Sequence, residues 1–194
     1  MAYDIKKLEN SVSKLMDERR FIHTLGVKDT SFAMAIVHHY DEQQALIAGL
    51  LHDIARTLPD EKLIGDCEKF GLPISLYERK SPYLLHGKLG AYYVKTNYGI
   101  LDSNILSAIT YHTTGKPAMN TLEKIVFVAD FIEPGRSGFG IPNMKQIREL
   151  AFTNLDKAVL EILKSTITYL ETKNASIDTT TLDAYQYYVT LIHE

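Results

Sequence analysis

The chain has 194 residues, 45% apolar and 23% charged, enough to bury one sizeable core in one globular domain. Its formal net charge of −3 gives no general pull on nucleic-acid backbones or anionic membranes, so extended nucleic acid and membrane are disfavoured partners, and any phosphate-bearing ligand needs local cations or metal. A single cysteine, Cys67, excludes an internal disulfide, no apolar run approaches the roughly 20 residues that span a bilayer, and no signal-like segment is found, so the expectation is a soluble, cytoplasmic protein.

Ile5, Leu8, Val12, Leu15 and Met16 recur at helical spacing and predict an amphipathic helix over about 4–20, ending close to His23. A second helix is expected over Thr30 to His39, and a third over Glu42 to Thr57 carrying the adjacent pair His52-Asp53. Pro59 marks a turn, Asp60 to Phe70 reads as a helix stopped by Gly71, and Leu72 to Leu85, with Pro73 and Pro82, reads as irregular. Helices over Gly87 to Asn97, Asp102 to Tyr111 and Leu122 to Phe131 present His86, His112 and Asp130 at or near their ends. Glu133 to Pro142 reads as the longest loop, and helices near Lys145 to Ala151, Asn154 to Thr172 and Thr180 to Ile192 complete an all-α fold in a single domain, with a core over about 14–135 and the C-terminal helices, about 145–192, packed on it.

The chemistry sits in five local words: His23 in RRFIHTLGV, His52 and Asp53 in LLHDIAR, His86 in LLHGKLGA, His112 in YHTTGKP, and Asp130 in VADFIEPGR. An imidazole and a carboxylate on consecutive helical positions diverge by about 100°, yet both can reach one metal, or the carboxylate can bridge two. Four imidazoles and two carboxylates are more than one ion normally takes from protein, so the count itself suggests a two-metal centre. No serine or threonine sits in an elbow motif, and a two-ion site needs neither these nor Cys67 as nucleophile.

That order of words resembles the HD-domain metal-dependent phosphohydrolases, and most closely their YqeK-type bacterial branch, the symmetrical diadenosine tetraphosphate hydrolases, over roughly Lys14 to Tyr188. The resemblance implies a helical bundle with a metal site in its core. It also implies that His23, His52, Asp53 and Asp130 hold one ion, that His86 and His112 serve a second, and that Asp53 bridges them. Iron is the metal it implies; the ligand types equally suit manganese or zinc. The activity it implies is attack of a metal-activated water on diadenosine tetraphosphate, giving two ADP.

Cations close to the ligand positions would hold the polyphosphate: Arg56, Lys88 and Arg136 first, Lys80 and Lys116 behind them. Lys88 and Arg136, with Asp53, are the residues expected to take part in the reaction. Glu133, three residues after Asp130, is placed to orient a ligand imidazole or a water. Tyr83, Tyr111 and Phe139 are candidates for stacking an adenine, while Gly135 and Gly138 could bring backbone N–H groups to phosphate and more often simply turn a chain. His38 and His39 read as structural, at a helix end. Other readings of the same residues are a phosphohydrolase of mononucleotides, a di-iron oxygenase and a nucleotide-binding regulator. The tyrosines Tyr185, Tyr187 and Tyr188 would contribute to a homodimer or pack internally.

Overall fold

In the computed structural model, residues 3–136 and 143–193 are described. Among them the chain is all-α, with helices α1 (Ile5–Val12), α2 (Glu18–Val37), α3 (Glu42–Leu51), α4 (Asp60–Lys69), α5 (Leu76–Lys80), α6 (Leu85–Asn97), α7 (Ser103–Tyr111), α8 (Thr121–Ile132), α9 (Met144–Thr153), α10 (Leu155–Thr172) and α11 (Thr179–His193).

Three boundaries differ from the periodicity-based expectation. The first break falls between Val12 and Glu18, so His23 lies inside one long helix rather than near the end of a shorter one. Asp17 starts that helix by accepting the Arg20 N–H at 2.8 Å, and Leu15, which extended the apolar pattern, is left 46% exposed. The third helix stops at Leu51 instead of running to Thr57, and the chain continues in turns, with the Arg56 N–H returning to the Asp53 carbonyl at 2.9 Å. His52 and Asp53 thus stand at a helix end and just beyond it. The segment expected to be irregular contains α5, opened by a capping box between Ser75 and Glu78, and a 3₁₀ turn at Pro82–Leu84 that feeds directly into α6.

Helix α8 occupies the middle, touching α2, α3, α7, α9 and α10. Its run LEKIVFVADFI is mostly apolar because it is covered on most sides, with Leu122, Ile125, Val126, Phe127, Val128, Ala129 and Ile132 all buried. Ala158, Val159, Ile162 and Leu163 of α10 and Ala184 and Tyr188 of α11 belong to this same core. Tyr188 packs inside, its hydroxyl accepting the Met119 N–H at 3.2 Å. His38 ties α2 to α9 through the Ala151 carbonyl, a structural role. A smaller core beneath α4 and α6 holds Ala55, Leu63, Cys67, Leu85 and Leu89.

One close approach decides where two of the expected ligand histidines, His86 and His112, end up. Gly87 lets α6 lie against the backbone of α7: a β-carbon there would stand 2.7 Å from the Thr110 carbonyl oxygen. Gly87→Ala is therefore expected to lower stability by about 1–3 kcal/mol through overpacking, outweighing the roughly 1 kcal/mol that alanine adds to helix propensity at most. Ser31→Ala should do the reverse, because its buried hydroxyl has no hydrogen-bond partner among the described residues; a gain of about 1 kcal/mol is expected, read as a melting point higher by about 2–4 °C. Thermal unfolding of both variants beside the parent chain checks the pair of signs.

Candidate metal centre

His23 comes from the second turn of α2, His52 and Asp53 from the end of α3 and just beyond it, His86 from the first turn of α6, His112 from the end of α7 and Asp130 from the last turn of α8. All six sequence-derived ligand positions converge on one cluster. Three of the rings are oriented by the same local device. The Nδ1 of His52 meets the Gly49 carbonyl at 2.7 Å, that of His112 meets the Ile109 carbonyl at 2.7 Å, and that of His86 meets the Tyr83 carbonyl. A carbonyl only accepts, so each Nδ1 carries the hydrogen and each neutral ring turns an Nε2 lone pair into the cluster. His23 lies inside its helix, where the preceding carbonyls serve the helix itself, and its Nδ1 instead meets the Glu133 carboxylate at 3.0 Å. Glu133 is buried, is also held by the Gly135 N–H, and approaches α2 at Gly26, where a β-carbon would stand 2.6 Å from Oε2.

The Asp53 carboxylate faces both ways. Its Oδ2 lies 3.4 Å from His52 Nε2 and 4.0 Å from His23 Nε2, while Oδ1 lies 3.2 Å from His86 Nε2 and 3.5 Å from His112 Nε2. Asp130 Oδ1 completes the first side, 3.0 Å from His23 Nε2 and 3.8 Å from His52 Nε2. Burial alone pushes the Asp53 carboxyl upward, but the electrostatic pull of the imidazoles around it, His52 first and then His112 and His86, prevails and holds it well below the usual carboxylate range. Burial likewise pulls His23 and His52 down, and is outweighed by Asp130 and Glu133 at His23 and by Asp53 and Asp130 at His52, so both end above the ordinary imidazole value. At His86 burial wins, and the ring ends below it.

These residues fit a metal on grounds of donor chemistry. His86 Nε2 and His112 Nε2 stand 3.0 Å apart, and His23 Nε2 stands 3.0 Å from Asp130 Oδ1. Lone pairs facing lone pairs at that separation repel unless a positive charge lies among them. The Nε2 atoms of His23 and His52 are buried with no hydrogen-bond partner among the described residues, and His23, His52 and Asp130, as well as His52, Asp53 and His112, each offer ligand atoms within 4.8 Å of one another.

The cluster forms the floor of a cleft of about 370 Å³ lined in part by Arg20, Arg56, Tyr83, Thr113 and Arg136. Arg136 pairs with Asp130 at 2.9 Å, and Arg56 lies over the Tyr83 ring, 5.8 Å from its centre. Lys88 is not brought to the cleft: its ammonium is held by Glu78 at 2.8 Å and by the Pro73 carbonyl, because α5 folds against it from the segment read as irregular. Lys116 pairs with Glu123 and covers Tyr111; neither they nor Lys80 line the cleft. Phe139 and Gly138 lie outside the described residues. Two further polar groups stand at the site without a local sequence word that marks them. Arg20 reaches Asp53 Oδ2 at 2.8 Å; it stands three residues before His23 on the same face of α2, a relation hidden by placing a helix end there. Thr113 brings its hydroxyl to 3.1 Å from His112 Nε2 and 3.3 Å from His86 Nε2, with no periodicity to mark it.

Cys67 is buried in the smaller core, and burial pushes its thiol up to about 11. Iodoacetamide at pH 8 is expected to leave it unmodified in the folded chain and to alkylate it fully in urea; rapid labelling of native protein would contradict this burial, and intact mass spectrometry reads either result.

The HD domain family matches residues 20–135, a span that takes in all six cluster residues. The symmetrical bis(5'-nucleosyl)-tetraphosphatase of Bacillus subtilis (strain 168) is 36% identical over 178 residues, which cover 92% of this chain and 94% of that protein. The protein of the same name from Halalkalibacterium halodurans is 40% identical over 178 residues, covering 88% and 89%. The crystal structure of a protein from Clostridium acetobutylicum, described as a predicted HD superfamily hydrolase involved in NAD metabolism, superposes with a TM-score of 0.92 at 36% identity over 98% of this chain and 99% of that one.

Proposed function

This chain belongs to the HD-domain family, and we propose that within it the protein hydrolyses diadenosine tetraphosphate at its central anhydride to give two ADP. The observation that carries this reading is the single carboxylate of Asp53 set between two groups of imidazoles on the floor of a cleft that three arginines line.

In this reading His23, His52, Asp53 and Asp130 would hold one ion and His86 and His112, together with Asp53, would hold a second, iron being the first expectation and manganese or zinc the alternatives. Ions bound there would supply a water of lowered pKa and positive charge against the phosphate oxygens. One water is consumed: its oxygen joins one inner phosphorus, and the bridging oxygen leaves with the other ADP. Glu133 keeps the hydrogen of His23 on Nδ1 and so keeps Nε2 free as a donor. Arg136, Arg56 and Arg20 neutralise and orient the polyphosphate, with Arg136 and Arg20 held in place by Asp130 and Asp53. The cleft, at the small end of the range of about 300–1,000 Å³ for ligand sites, suits one ADP half beside the cluster, with Tyr83 as the surface available to a base. That register makes the second anhydride link the reactive one; a shift by one phosphate would give AMP and ATP.

Chromatography of products from metal-assayed protein tests the reaction. ADP alone from diadenosine tetraphosphate is expected, with little turnover of ADP, ATP or dGTP; turnover of a mononucleotide with the dinucleotide untouched would replace the substrate. Unchanged turnover without oxygen is expected for a hydrolase and excludes an oxygenase. Two substitutions should separate holding metal from holding phosphate. Glu133→Gln is expected to weaken metal binding by about 10–100-fold, whereas Arg136→Ala should raise KM or lower kcat with metal content intact. Metal loss in Arg136→Ala, or wild-type metal affinity in Glu133→Gln, would reverse these assignments.

A further inference from the structure

Around the second position of the cluster, three donors are accounted for: His86 Nε2, His112 Nε2 and Asp53 Oδ1, separated by 3.0, 3.2 and 3.5 Å. The Thr113 hydroxyl stands 3.1 Å and 3.3 Å from the two nitrogens and faces the same cleft. Ligands bound at about 2.0–2.2 Å lie about 2.8 to 3.6 Å from their neighbours, from the octahedral to the tetrahedral limit. Every one of these separations falls inside that window. Hydrogen bonding alone does not account for the threonine, because a hydroxyl has one hydrogen and both Nε2 atoms present lone pairs, their Nδ1 hydrogens being held by the Ile109 and Tyr83 carbonyls. One of the two contacts is therefore left as oxygen lone pair against nitrogen lone pair, the same signature that marks the rest of the cluster as a cation site.

We propose that Thr113 is a further metal-binding residue, its hydroxyl oxygen serving as the fourth protein donor to the second ion beside His86, His112 and Asp53. This assignment rests on the two-ion form of the function proposed above. It gives that ion two nitrogen and two oxygen donors and ties its most weakly bound ligand to the side of the site that opens on the cleft. Because Thr113 follows His112 immediately, one turn of chain at the end of α7 supplies two of the four donors.

The test is binding of Mn²⁺ alone to chelator-stripped protein, read as ions per chain by equilibrium dialysis and elemental analysis over graded Mn²⁺, with no substrate present. The wild-type chain is expected to take up two ions. Thr113→Val, which keeps the shape and removes the oxygen, should leave the first ion at wild-type affinity and weaken the second by about tenfold or more, and Thr113→Ser should restore it. Two ions held as tightly by Thr113→Val as by the wild type would overturn the role of Thr113 and leave the two-ion reading standing. A wild-type chain that takes up only one ion would overturn both. Equal weakening of both ions in Thr113→Val, with a lowered melting point, would show a structural threonine and overturn the assignment as well.

Discussion

The arrangement depends on where four imidazole hydrogens are held. With each Nδ1 hydrogen fixed on a carbonyl or carboxylate, every Nε2 lone pair points inward at the buried carboxylate of Asp53, and the centre of the protein becomes a place where only positive charge is stable. Three of the four rings thus take their orientation from the backbone, and only His23 takes it from a polar side chain. The cost of burying so many donors is offset in part by the arginines that pair with Asp53 and Asp130, and a bound cation would offset more of it.

Three of those hydrogen bonds run to the carbonyl three residues earlier, from His52 to Gly49, from His86 to Tyr83 and from His112 to Ile109. All three rings sit at helix ends or beside a 3₁₀ turn. His23 is the exception, inside α2, and it recruits Glu133 from the far end of α8. That long reach explains two small residues: Gly26 makes room for the Glu133 carboxylate on α2, and Gly135 closes the turn that holds it from the other side. Gly87 serves a parallel purpose, allowing α6 and α7 to approach until His86 and His112 face each other. The helical packing and the donor set are thus one problem, since displacing either pair of helices would separate the ligand atoms.

The cleft has a second organisation above the cluster. Arg20 and Arg136 are each anchored on one of its carboxylates, and Arg56 lies over Tyr83, which itself orients His86 through its backbone carbonyl. Groups suited to a phosphate chain and to a base are therefore mechanically continuous with the metal donors. Lys88, two residues from His86, is excluded from this set because helix geometry turns it outward to Glu78.

The sequence by itself determined the helical class, most helix positions after residue 58, and the six residues of the cluster, because apolar periodicity and histidine-bearing words are local properties that survive without coordinates. It misplaced the break before α2 and the end of α3, where a single capping aspartate and a run of turns override the apolar pattern. Only the tertiary structure decided which cations reach the site, bringing in Arg20 and removing Lys88, and only it set the Thr113 hydroxyl between two imidazoles. The physical reason is range: a side chain's identity is written at its own position, but its partner is chosen by how helices far apart in the chain cross, and that depends on packing contacts no local pattern records.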